Sequence, residues 1–311
     1  MTATQPAPLR RLRRRAVALV AAVAGVAGIA GCGLVGASES QLDTVVVGSA
    51  NFTESALLGE IYAQALEAEG MEVERQFNIG AREAYMKSIE GDNPSINVLP
   101  EYLGYLLEYY GEPATGAGVD AVQQKLEQTL PPELKLLEVS PATDEDAFVV
   151  TQQTAQKYDL QSIADLAPVA DQLVVGGGPE FKTRHSGVAG MEEEYGVQFK
   201  SFETLDPGGP LSEKALLSGD IQVSNFFTTQ SVIEEENLVV LEDPKNIIPP
   251  GNIVPVVRDD IPDSEQVAQT LNAVQGRLTT EGLTQMVKRV DVDKEPIEAV
   301  AEQFLTQEGL A

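Results

Sequence analysis

Apolar and polar positions along the chain fall into short blocks that alternate between two periods. Val45-Val46-Val47 is a β-branched run without polar interruption, the pattern of a strand covered on both faces. Gly48-Ser49-Ala50 breaks it. Asn51 then stands where a side-chain oxygen can cap a helix, and Glu54 follows three residues later, where its carboxylate can reach back to the cap N–H. Leu57, Leu58, Ile61, Ala65 and Leu66 make one stripe at helical spacing, which Gly70 closes. A strand feeding a helix N-terminus leaves free N–H groups at the carboxyl end of a sheet, where open α/β folds bind ligands. By pattern alone, the stretch is equally an ordinary first βα unit.

The next blocks repeat the alternation. Residues 71–77 read as a half-exposed strand, a second helix runs through Tyr85, Met86 and Ile89, and Ser95 to Leu99 is a third strand. Pro100-Glu101-Tyr102 is expected to open a helix carrying Tyr105, Leu106, Tyr109 and Tyr110. This β-α-β-α-β run predicts a parallel sheet with covering helices, an α/β class. A helix within Gly116–Leu130 and a strand at Lys135–Val139 follow. A second lobe is expected from about Asp146, with strands at 148–151, 198–205, 221–225 and 238–241 and a helix at 210–218. Ser162 to Leu173 reads as helix across Pro168, and Gly176-Gly177-Gly178 as a turn after a strand. Residues 243–251 are rich in proline and read as a return crossing, 252–257 as strand, and the tail from Ser264 as helical.

The first 31 residues stand outside this pattern. Five arginines between Arg10 and Arg15 precede an uncharged run of 14 residues, Ala16 to Ile29, too short to span a bilayer. This is an export signal. Ile29-Ala30-Gly31-Cys32 resembles a bacterial lipobox, which implies lipidation of Cys32 and an extracytoplasmic protein anchored to the cell membrane, with residues 32–42 as a tether. Cys32 is the only cysteine, so no disulfide framework or thiolate metal site is available.

Removing the signal leaves 280 residues, enough for two lobes around a sizeable core. The remaining 16 basic and 48 acidic residues give a balance of −32, which argues against nucleic acid or anionic membrane surfaces as direct partners. No G-x-S-x-G elbow occurs, and the single His185 excludes a multi-histidine metal site. The glutamate runs at 192–194 and 234–236 lack a calcium-loop pattern, and 176–178 lacks a phosphate-loop lysine. No catalytic constellation, metal site or cofactor motif emerges, and the expectation is a protein without catalysis of its own.

Several segments together resemble the osmoprotectant-binding proteins of ABC importers, the receptors for glycine betaine, choline and carnitine. Gly48-Ser-Ala-Asn-Phe-Thr-Glu-Ser55 resembles that family's G-S-K-N-F-T-E-Q, and Leu99-Pro-Glu-Tyr-Leu-Gly104 its Y-P-E-Y-T-G. Pro179-Glu-Phe-Lys-Thr-Arg184 with Gly187-Val-Ala-Gly190 resembles E-F-x-x-R and G-x-x-G-L, and Phe227-Thr-Thr-Gln-Ser231 resembles Y-x-T-D-G. Leu241-Glu-Asp-Pro-Lys245 and Pro249-Pro-Gly-Asn252 resemble L-E-D-D-K and P-P-Y-N. The matches run in order from Val45 to Leu310.

The resemblance implies a two-lobed, periplasmic-binding-protein-like fold of type II with a ligand cleft between lobes. Lobe 1 would comprise 43–145 plus 245–311, and lobe 2 would comprise 146–244. It implies a monomeric receptor that closes over a small solute, a quaternary amine, and hands it to ABC permease subunits. Such a solute cannot donate strong hydrogen bonds and is held by aromatic faces, while its carboxylate suits a guanidinium fork. By match, Tyr102 and Phe227 would be aromatic walls and Arg184 the carboxylate binder. Ser49, Asn51 and Thr229 lie in matching loops, and Tyr105 stands where a small hydroxyl residue contacts ligand. Each has a structural alternative: core packing for Tyr102 and Phe227, a salt bridge for Arg184. The chain departs from the family at Ala50, Ser55, Gln230 and Gly251, and a cage tyrosine is replaced by Ala147 or Phe148. Two ligand readings therefore stand, a betaine-type amine in a rebuilt cage and a different small polar or aromatic solute, taken up or sensed.

Overall fold

The computed structural model describes residues 44–114 and 116–311; the signal segment 1–31, Cys32 and the tether 32–42 lie outside them. The first strand shows how the fold is organised. In β1 (Val45–Gly48), Val45 and Val47 enter one apolar core and Val46 the opposite one, as the two-residue period of a strand dictates. Helix α1 (Thr53–Ala68) then returns along the sheet, followed by β2 (Val73–Gln76), α2 (Arg82–Ile89), β3 (Val98–Tyr102), α3 (Leu103–Tyr109), α4 (Val119–Thr129) and β4 (Leu134–Leu136). These strands build a sheet ordered β2-β1-β3-β10-β4, in which β1, β2 and β3 are parallel and the later strand β10 (Ile253–Arg258) runs antiparallel to β3 and β4.

The intervening segment repeats the plan. Strand β5 (Asp146–Val150) and α5 (Gln152–Tyr158) lead to β6 (Val174–Gly177), α6 (Val188–Tyr195), β7 (Ser201–Thr204), α7 (Pro210–Ser218), β8 (Val223–Phe227), α8 (Val232–Glu235) and β9 (Val239–Val240). The second sheet is ordered β7-β6-β8-β5-β9, again three parallel strands with an antiparallel strand beside them. Two crossings join the sheets and are hydrogen-bonded to each other. The Asp144 N–H donates to the Gly251 carbonyl at 3.0 Å and the Ile253 N–H to the Ala142 carbonyl at 3.1 Å.

The chain ends in α9 (Ser264–Gln275), α10 (Thr280–Asp291) and α11 (Ile297–Glu308), which pack on α1. Helix α1 is therefore buried on nearly every side, beyond the single predicted stripe. Leu57, Leu58 and Ile61 are fully buried, and each contributes about 1.5–3 kcal/mol by leaving water. Its buried Glu60 is neutralised by Arg75 from β2 at 2.7 Å.

Four local expectations are corrected. Asn51 does not cap α1: Phe52 occupies the cap position, no side chain caps the helix, and Glu54 turns to partners outside it. Pro100 to Tyr102 is the end of β3, not a helix start, because Pro100 faces Pro255 across the β3–β10 pair, so both missing donors fall at one level of the ladder. Residues 162–173 form two 3₁₀ turns, Ile163–Leu166 and Ala170–Gln172, in place of one helix. Pro168 lies between them, and a Ser162–Asp165 capping box opens the first. Gly176 and Gly177 belong to β6 and make no turn; they let Ile221, Leu205 and Phe181 approach the strand closely.

Candidate functional site

The loop after β1 is tied down before it reaches the site. The Ser49 hydroxyl is fully buried, donates to the Ala50 carbonyl at 3.0 Å and accepts from the Asn78 N–H at 2.9 Å. Ser55 on α1 accepts the Ala50 N–H at 2.9 Å. The loop thereby presents Ala50, Asn51 and Phe52 to a cleft of about 540 Å³ between the two sheets. Arg82 and Tyr85 of α2, Tyr102 and Tyr105 face it from the same side. Asp146, Glu180, Arg184, Pro207 and Phe227 face it from the other, and Asp144 enters from a crossing. Ser49 holds the loop and is not a wall of the cleft.

The aromatic walls form one cluster drawn from both sides. The Phe52 and Phe227 rings are stacked with centroids 5.4 Å apart, and Phe52 lies 6.0 Å from Tyr102. The Tyr102 hydroxyl donates to Glu54 at 2.8 Å, which fixes the ring edge; burial, then the Glu54 charge, raises the phenol above its usual range. The Tyr105 hydroxyl accepts the Asp146 N–H at 2.7 Å across the cleft, and the Arg82 guanidinium lies 5.9 Å from its ring centroid. One face of Tyr105 is thus already occupied by a protein cation. Phe148 is fully buried against Phe181 and Ala147 is buried in the second sheet's core, so neither replaces the absent cage tyrosine. At Gly251 a Cβ would come within 1.9 Å of the Asp144 carbonyl, which leaves no room for any side chain there.

The two arginines differ in how they are held. Arg82 donates to both oxygens of the fully buried Glu101 at 2.9 and 3.0 Å, and Tyr85 donates to the same carboxylate at 2.8 Å. Burial opposes the Arg82 charge, but Glu101 outweighs it and holds the guanidinium protonated. Arg184 is partly exposed and reaches Glu83 of α2 at 3.3 Å, a long ion pair between the two sides. Burial favours the protonated acid at Glu83, yet its backbone N–H and Arg184 together keep its proton affinity below the usual range.

Thr229 does not line this cleft. It is buried beside a larger adjoining chamber of about 1010 Å³, which shares Asn51, Phe52, Asp144, Pro207 and Phe227 with the first. Its hydroxyl donates to Glu54 at 2.5 Å and its N–H to Asp144 at 3.1 Å. The stacked Phe52 and Phe227 rings stand where the two chambers meet. Phe52, Arg82, Tyr85 and Asp144 escaped sequence reasoning. The phenylalanine carried a signal, being the aromatic inside the Asn-Phe-Thr-Glu turn, whereas Asp144 lies in a stretch with no periodicity.

Two similar α/β sheets joined by two crossings, with an aromatic and charged cleft between them, make up the two-lobed architecture of a solute-binding protein. A family model for the substrate-binding domain of ABC-type glycine betaine transport systems matches residues 43–307, and the chain belongs to that family. It is 27% identical over 289 residues to the glycine-betaine-binding protein of Pseudomonas aeruginosa, covering 89% of this chain and 92% of that one. To the carnitine transport binding protein OpuCC of Listeria monocytogenes it is 24% identical over 293 residues, covering 88% and 90%. A crystal structure of a glycine betaine/carnitine/choline ABC transporter superposes with a TM-score of 0.66 at 22% identity, covering 86% of this chain and 99% of that one. Members of the family are transport receptors and not enzymes.

Proposed function

We propose that the chain captures a small quaternary-ammonium solute of the glycine betaine or choline type in the cleft and delivers it to the permease. The observation that carries this reading is the aromatic cluster assembled from both sides, Phe52 and Tyr102 from one and Phe227 from the other. Ring faces attract a methylated ammonium at about 0.5–2 kcal/mol each, and a cluster that needs both sides couples binding to closure. Arg184 is the carboxylate binder and exchanges its long contact with Glu83 for the ligand. Asn51 and Tyr105 complete the cleft, while Ser49 and Thr229 act through the loop and through Glu54. The lobes are 43–145 plus 245–311 and 146–244, moving about the paired crossings. The receptor is a monomer tethered through lipidated Cys32. Incorporation of labelled fatty acid that persists in Cys32→Ser would overturn the anchor.

A thermal-shift panel with glycine betaine, choline, carnitine and aromatic solutes tests the ligand. A solute at a hundred times its dissociation constant should add about 2.7 kcal/mol of stability. No shift with any quaternary amine rejects the reading. A second reading, a different small polar or aromatic solute, is favoured by Gly251 and by the stacking of Phe52 on Phe227, which are too close to clasp one cation between them. A shift confined to the aromatic solutes would select it. The chain contains no tryptophan, so calorimetry rather than intrinsic tryptophan fluorescence is the confirming measurement.

A further inference from the structure

The cleft contains a charge arrangement that the aromatic reading does not use. Glu54 and Asp144 are both buried and are drawn together by Thr229, whose hydroxyl donates to Glu54 at 2.5 Å and whose N–H donates to Asp144 at 3.1 Å. Two buried carboxyls that share one neutral residue and bond no cation cannot both stay ionised cheaply, so the pair holds one proton between them in the solute-free protein. Every other partner is neutral. Tyr102 and Thr229 donate hydroxyls to Glu54, while the Thr228 hydroxyl and the Thr229 N–H donate to Asp144. Among the described residues no lysine or arginine bonds either carboxyl.

The surroundings reinforce the proton. From β5, Asp146 adds negative charge to Asp144. The larger chamber beside the pair is also lined by Asp206 from the loop before α7, by Glu213 of α7, by Asp291 at the end of α10 and by Lys294 beyond it. Among the described residues Lys294 is the one basic residue lining that chamber, while Arg82 and Arg184 line the smaller cleft that Asp144 also enters. Asp144 also lines the smaller cleft beside Phe52, Tyr102 and Phe227, so a cation against those rings lies beside Asp144. Burial, ahead of any charge, raises both carboxyls, and Asp144 is pushed up to about 7.

We propose that the Glu54–Asp144 pair is the counter-charge of the solute's cationic group and exchanges its shared proton for that cation when the solute enters. The inference rests on the quaternary-ammonium reading above. The exchange balances: one positive charge enters, one proton leaves to solvent, and the net charge of the site is unchanged. It also supplies attraction where cage walls are missing at Ala147 and Gly251. The sign of the pH dependence follows. Above the pair's apparent pKa no proton has to be displaced, so affinity is highest in mild alkali and falls as pH drops through neutrality, by up to about tenfold per pH unit. A neutral carbon analogue of choline, with tert-butyl in place of trimethylammonium, displaces no proton and binds without this dependence.

The test is calorimetry of the intact protein with choline at about pH 7, in phosphate and in Tris, whose ionisation enthalpies differ. The expected result is release of about half a proton per choline at pH 7, rising toward one at pH 6, and an affinity that falls about tenfold between about pH 8 and pH 6. Asp144→Asn should abolish the release and reduce the preference for choline over its neutral analogue by at least tenfold. Glu54→Gln serves as a second variant, and the wild-type measurement needs neither. Choline binding with no proton released and a constant affinity over this range overturns the proposal while the receptor reading stands. Proton uptake on binding overturns it as well. Failure of every quaternary amine to bind removes the reading beneath it and the proposal together.

Discussion

Arg82 and Arg184 stand on opposite sides of one cleft, yet they respond to different substitutions. Arg82 neutralises Glu101, whose side chain is wholly buried, so Arg82→Met leaves an uncompensated carboxylate in the interior. A loss of about 3–5 kcal/mol is expected, seen as a lower urea midpoint with or without ligand. An unchanged midpoint would mean that the Glu101 carboxylate finds other donors at little cost. Arg184 is partly exposed and its contact with Glu83 is long, so its removal should leave stability nearly unchanged. Arg184→Ala should instead weaken glycine betaine by tenfold or more and choline little, since a charged hydrogen bond contributes about 1.5–3 kcal/mol. Equal losses for the two solutes would identify Arg184 as a structural clamp. Tyr102, Phe227 and Arg184 were legible in the sequence because they sit in recognisable short motifs. Asp144 was not, since it lies in a stretch with no periodicity and its partners are far along the chain, Thr228 and Thr229.

At the scale of elements, local patterns were legible where one period ran uninterrupted. Val45 to Val47 and the helix behind them lie where the pattern predicts. Pattern failed where tertiary demands override propensity. Proline in a central strand is disfavoured in general, yet Pro100 is accommodated opposite Pro255. Glu54 carries the signature of a capping box but is drawn away by Tyr102 and Thr229, while the Asn51 N–H it would have capped already donates to the Gly80 carbonyl. The crossings are a further case. Gly251 reads as a missing tyrosine, but its backbone lies against the Asp144 carbonyl so closely that no Cβ fits. Gly251→Ala should therefore cost about 1–3 kcal/mol by forcing the crossings apart. A variant as stable as wild type in urea would show that they yield freely.

Across the whole molecule, the two sheets meet through more than the solute cleft. Lys288 of α10 pairs with Glu235 of α8 at 2.6 Å, and Arg184 pairs with Glu83 at 3.3 Å, each joining one sheet's layer to the other's. Such exposed pairs do little for the stability of either half, but they exist only when the halves are together. The short Lys288–Glu235 pair therefore biases a closed arrangement before any solute arrives, whereas Arg184 exchanges its long contact for the solute. A receptor whose competent form is partly populated without ligand binds more tightly in proportion to that population. Lys288→Glu sets a carboxylate against Glu235 and reverses the bias. The expected outcome is a larger radius of gyration for the solute-free protein by small-angle scattering, an unchanged value with saturating solute, and a several-fold weaker affinity. Because Lys288 lies outside both chambers, the loss cannot come from a lost solute contact, and it should shrink as salt screens the repulsion. Equal radii and equal affinities for variant and wild type at low salt would mean that the solute alone, and not these surface pairs, brings the halves together.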